Sequence, residues 1–131
     1  MDSTIKIIIQ NTLNQFPEIK LAIVFGSVAV NRETNSSDID LAVLTDTPID
    51  VKQKIKLIEA LATATGRAID LIDLKTAGQP LLGQIISNGE RIKGSDSVYA
   101  RLITKNLFDQ ADFLPYRNRI LDERREAWIG K

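Results

Sequence analysis

Leu21-Ala22-Ile23-Val24-Phe25-Gly26-Ser27, then ten residues, then Asp38-Ile39-Asp40-Leu41-Ala42-Val43-Leu44: these two stretches decide the fold. The first is a short apolar run halted by Gly-Ser, which reads as a strand covered on both faces. The second opens on strict polar/apolar alternation and reads as a strand beginning at Asp38. Downstream, Ile69-Asp70-Leu71-Ile72-Asp73-Leu74 reads as a third strand. Helical patterns surround the three. Ile5, Ile8, Ile9, Leu13 and Phe16 recur at helical spacing behind a Ser or Asp cap, and Pro17 ends the run. Asp50 caps a second helix, with Val51, Ile55, Ile58 and Ala62 on one face and Gly66 at its end. Pro80 starts a short helix carrying Leu81, Leu82, Ile85 and Ile86, which Gly89 stops, and Glu90–Lys93 fits a short edge strand. From about Ser97 the pattern is mostly helical and divided by Pro115. The order helix-strand-strand-helix-strand-helix indicates an α/β protein with a small sheet.

A chain of 131 residues can bury one core. Its 17 Lys+Arg balance 17 Asp+Glu, which argues against a general nucleic-acid coat, because that requires a basic surface. Cysteine is absent, so disulfides, zinc knuckles and thiol nucleophiles are excluded. Histidine is absent too, which removes the Ser-His-Asp triad, HExxH zinc sites and any imidazole base. Chemistry must run on carboxylates, hydroxyls, Lys, Arg and backbone amides. No apolar run approaches the roughly 18 residues of a membrane span. The opening Met1-Asp2-Ser3-Thr4 lacks a basic region followed by an apolar stretch, so the expected location is the cytoplasm.

The chemistry concentrates at the junction of the first two strands. Residues two apart on a strand share a face, so Asp38 and Asp40 project side by side at the mouth of the sheet. Carboxylates that close repel unless a cation lies between them. In a chain without His or Cys the natural cation is Mg²⁺, which takes oxygen ligands and shares them with phosphates. A lone Asp-x-Asp is more simply a solvated strand end, and a lone Gly-Ser a plain turn. Together and in order, one on each of two adjoining strands, they point to phosphate chemistry: Gly26-Ser27 can turn its backbone N–H groups, and the Ser27 hydroxyl, toward an anion. A third acid would complete a two-metal set. Asp70 and Asp73 lie on opposite faces of the third strand, and alternation does not choose between them.

Val24-Phe25-Gly26-Ser27, Ser37-Asp38-Ile39-Asp40-Leu41 and Ile69-Asp70-Leu71-Ile72-Asp73-Leu74 resemble, in order and spacing, the motifs of the DNA-polymerase-β-like nucleotidyltransferases, and more narrowly those of the minimal nucleotidyltransferases (MNT). The resemblance covers about residues 5–95. It implies a small mixed β-sheet flanked by helices over residues 1–95, a nucleotide triphosphate held by Gly26, Ser27 and Ser37, and two Mg²⁺ ions on Asp38, Asp40 and Asp70. It favours Asp70 over Asp73, because the third acid of the family is usually the first Asp of such a segment. One departure stands out: many members read Gly-Ser-x-Ala-Arg-Gly, where this chain has Gly26-Ser27-Val28-Ala29-Val30-Asn31. Arg32 stands close enough to supply the missing charge, and Asn31 tolerates a left-handed backbone.

With only the segment 96–131 beyond that core, the chain is most similar to the MNT antitoxins of HEPN/MNT toxin–antitoxin pairs. The resemblance then implies transfer of AMP from ATP to a tyrosine of a HEPN-family ribonuclease toxin, which neutralises it within a hetero-oligomer. The rival expectations are an antitoxin that works by binding alone, and a nucleotidyltransferase for RNA or a small molecule. Membrane and direct nucleic-acid partners are not expected. The helical extension 96–131 carries Tyr116, Ile120, Leu121 and Trp128 on one stripe with Arg117, Arg119, Arg124 and Arg125 among them. It either covers the sheet or docks the toxin.

Overall fold

Asp2 begins the first helix, its carboxylate accepting the Thr4 N–H at 2.9 Å. The structure is a computed structural model, and residues 1–26 and 38–111 are described. Helix α1 (Ser3–Leu13) ends at Asn14, so Phe16 lies beyond it rather than on it. Its partly buried ring packs against the core from the following turn. Strand β1 spans Leu21–Phe25 and β2 spans Ile39–Leu44. Asp38 therefore stands just before the strand instead of opening it.

Helix α2 (Val51–Thr65) starts with a full capping box: Asp50 accepts the Gln53 N–H at 2.8 Å, and the Gln53 side chain accepts the Asp50 N–H at 3.1 Å. Gly66 closes it at φ +70°, the left-handed cap that glycine adopts without strain. The face turned inward is rotated from the one expected, of which Ile58 still packs partly buried against the core. Leu57 and Leu61 are buried, whereas Val51 is 73% exposed and Ile55 50%. The helix carries two adjoining apolar stripes and can centre only one on the sheet. The stripe with two leucines takes that position, worth about 1.5–3 kcal/mol for each fully buried side chain.

Strand β3 (Ile69–Asp73), helix α3 (Leu81–Asn88) and strand β4 (Glu90–Lys93) follow. Residues 96–111 form helix α4. The sheet order is β3-β2-β1-β4. β1 is antiparallel to both β2 and β4, while β2 and β3 are parallel, joined by α2 as the crossover. The result is a mixed sheet with helices on both faces, as the sequence indicated.

Alternation divides the core in two. Ala22, Val24, Leu41 and Val43 face α1 and α2, meeting Ile9, Leu13, Leu57 and Leu61. Leu21, Ile23 and Ala42 face the other way, onto Leu82 and Ile85 of α3 and Leu102 of α4. A central strand buried on both faces has no polar alternation, which is why β1 reads as an unbroken apolar run.

Candidate active site

Strands β1, β2 and β3 bring one end of the sheet to a focus. Phe25 pairs with Asp40 across the antiparallel ladder, and Asp40 lies level with Asp70 across the parallel one. By alternation both carboxylates share the sheet face of Ala42 and Ile72, the side covered by α3 and α4. Asp38 is exposed immediately before β2. Gly26 follows β1 with φ +73° and overhangs the pair: a Cβ built there would overlap Oδ2 of Asp40. Glycine is thus required twice, by the backbone and by the carboxylate packed against it. The sequence suggested a glycine that lets phosphate approach; the structure adds one that makes room for Asp40.

Asp40 is partly buried, and its carboxyl is held above the ordinary carboxylate range. Burial is the largest cause, followed by a hydrogen bond with Asp70, the Asp70 charge and the Asp38 charge. Each favours a protonated Asp40 donating to Asp70. Two carboxylates forced together at a half-open sheet end fit a hard divalent cation, which would replace the shared proton and satisfy both. Among the described residues no three of His, Cys, Asp and Glu gather closely enough to hold a metal ion. Asp38 joins the other two through its charge rather than by convergence.

The structure separates the two acids of β3. Asp73 lies at the far end of the strand and serves the backbone. Its carboxylate accepts the Ile49 N–H at 3.0 Å and the Lys75 N–H at 2.9 Å, and its carbonyl accepts the Ala77 N–H at 3.0 Å. The Asp73–Lys75 bond is an Asx turn, a local signal that an Asp before Lys75-Thr76 carries. Of the other expected nucleotide contacts, Ser27 and Ser37 lie outside the described residues, as do Asn31 and Arg32. So do Tyr116, Ile120, Leu121 and Trp128 with their neighbouring arginines.

Residues 8–98 match the family described as Polymerase beta, Nucleotidyltransferase. The chain belongs to that family. It is 28% identical over 116 residues to the protein adenylyltransferase MntA of Shewanella oneidensis, covering 88% of this chain and 84% of the relative. Among solved structures it is similar to a toxin–antitoxin crystallised with AMP-PNP, at TM-score 0.80 and 26% identity over 92% of this chain and 98% of the other. It is also similar to the MNT antitoxin solved with the tri-AMPylated Shewanella oneidensis HEPN toxin, at TM-score 0.77 and 25% identity over 95% and 99% of the two chains. Among the described residues no helix is long and apolar enough to cross a membrane.

Proposed function

We propose that this chain is a Mg²⁺-dependent protein adenylyltransferase and antitoxin, which transfers AMP from ATP to a tyrosine hydroxyl of a HEPN-family toxin and holds that toxin in a hetero-oligomer in the cytoplasm. The observation that carries the reading is the Asp40–Asp70 pair set under Gly26. It occurs in a chain that resembles a protein adenylyltransferase over most of both lengths. A surface that only bound a partner would have no use for two carboxylates pressed together at the cost of their desolvation. That favours catalysis over neutralisation by binding alone.

Residues 1–95 are assigned to the nucleotidyltransferase domain and 96–131 to its helical extension. Asp38, Asp40 and Asp70 are the proposed catalytic and metal-binding residues; Gly26, Ser27 and Ser37 are the proposed nucleotide contacts. Mg²⁺ held by the Asp40–Asp70 pair, with Asp38 adding its charge, would neutralise the triphosphate and lower the pKa of the attacking hydroxyl. Gly26 lets the backbone lie against the phosphates without a side chain between. Asp70 lies on the rim of the pair and is the exposed one, so it is the group placed to take the tyrosine proton. The tyrosine oxygen bonds to the α-phosphorus, the bond from that phosphorus to the bridging oxygen breaks, and pyrophosphate leaves. The chain's contribution is positioning and charge, as in other transfers of phosphorus groups.

The test is incubation with Mg²⁺, each α-labelled nucleoside triphosphate and the HEPN-family toxin proposed as its partner. Label from ATP is expected on a tyrosine of that protein. Neutralisation without label transfer would replace catalysis by binding, and label on RNA or a small molecule instead would replace the substrate.

A further inference from the structure

The end of the sheet opposite Asp40 and Asp70 holds a cavity of about 290 Å³. Four positions of β2 separate Asp40 from Leu44, about 13 Å at roughly 3.3 Å per residue, so the two sites do not overlap. The walls are apolar, formed by Leu44, Leu74, Val98 and Leu102. The rim is cationic: Lys20, Lys75, Arg101 and Lys105 surround it, with Asp46 as the one acid. In a chain whose formal charges sum to zero, that is a marked local excess.

The rim is built rather than scattered. Lys20 enters β1 with its N–H donating to the Leu44 carbonyl at 2.7 Å. Lys75 is fixed by the Asp73 carboxylate, which takes its N–H at 2.9 Å. Arg101 and Lys105 are four apart on α4, a like-charge spacing that weakens a helix by a few tenths of a kcal/mol. Asp109 meets Lys105 at 3.0 Å from the following turn. Among the described residues no ion pair engages Lys20, Lys75 or Arg101.

We propose that this cavity binds a phosphorylated small molecule of mononucleotide chemistry: the uncharged body against the leucine wall, the phosphate on Lys75 and Arg101, with Lys20 and Lys105 flanking. Lysine and arginine around an apolar recess of this size suit such a ligand, because the guanidinium chelates phosphate oxygens while the leucines exclude water from the flat body. The site is separate from the aspartates and does not depend on the catalytic reading.

The experiment is a backbone amide NMR titration of the full chain with AMP, inorganic phosphate and adenosine as separate probes, without Mg²⁺. AMP should shift the amides of Lys20, Thr45, Lys75 and Leu102 along a saturable curve. Phosphate alone and adenosine alone should each do so at least about tenfold more weakly. The Lys75→Glu/Arg101→Glu double variant, checked for folding by the unchanged shifts of Ile23 and Leu41, should lose that response. Any AMP response at Gly26 and Asp70 should persist, and those amides report separately on the catalytic reading. Equal responses to phosphate and AMP would reduce the cavity to a nonspecific anion site and overturn the proposal. So would AMP shifts that survive charge reversal, or a double variant that binds AMP normally but no longer captures the HEPN protein.

Discussion

Asp70 and Asp73 stand three residues apart on one strand and do opposite work. At the Asp70 end, carboxylate meets carboxylate with an overhanging glycine, and burial and like charge raise Asp40. At the Asp73 end the carboxylate meets two backbone N–H donors and pins the turn that follows. One end stores electrostatic strain that a cation can relieve; the other has none to release. The same residue type on the same element is set against a second carboxylate or against backbone donors, according to what the neighbouring chain segments offer its oxygens.

Asparagine at the two ends should divide this comparison most sharply. Asp40→Asn and Asp70→Asn are expected to lower AMP transfer by at least about a thousandfold while the chain stays folded, because removing mutual repulsion does not unfold it. Asp73→Asn should leave transfer within about twofold, since it touches no reacting group. Rates with labelled ATP and the HEPN protein decide it, and near-normal turnover in Asp70→Asn would remove that residue from the site. Next in size, Gly26→Val places a branched side chain at φ +73° and into Asp40. Transfer should be lost and stability reduced by about 1–3 kcal/mol in urea titration. A fully active, fully stable Gly26→Val protein would show that Asp40 does not need the space.

Asp73→Ala tests the quiet end. It leaves the Ile49 and Lys75 N–H groups without their acceptor, so about 1–3 kcal/mol of stability should disappear, with transfer at low temperature little changed. No loss in urea midpoint would mean water replaces the carboxylate fully. The smallest expected effect is in pH dependence. Asp40 has a folded pKa above its unfolded one. Its stabilising contribution is therefore complete below the ordinary carboxylate range and lost as pH rises through the raised value. Metal-free wild-type protein should weaken over that window, and Asp40→Asn should flatten the curve and be at least as stable at neutral pH. A parallel pH profile in the variant would assign the titration to another group.

Much of this was written locally. Asp50 with Gln53, Gly66, and the apolar run from Leu21 to Phe25 state their elements within a few residues, because capping bonds and alternation are short-range. The approach of Gly26 to Asp40 was likewise legible from the two motifs; Ser27 lies outside the described residues. The limits of α1 were less so: apolar spacing ran on to Phe16, but the helix closes at Leu13. Spacing records which side chains are apolar, not where the backbone leaves the helix.

By itself the sequence determined that four strands and their helices form, where most begin and end, and that carboxylates gather beside Gly26. Its alternation could not choose between Asp70 and Asp73, because apolar residues flank both on either face of β3. Nor could it choose the stripe of α2 that goes inside, or foresee that Lys20, Lys75, Arg101 and Lys105 would ring one cavity. Those outcomes depend on strand register and helix docking. The parallel pairing of β2 with β3 places Asp70 beside Asp40 across thirty residues of chain, and packing on α1 and the sheet selects Leu57 and Leu61. Contacts between segments far apart in sequence leave no periodic trace in either segment, so only the assembled sheet decides them.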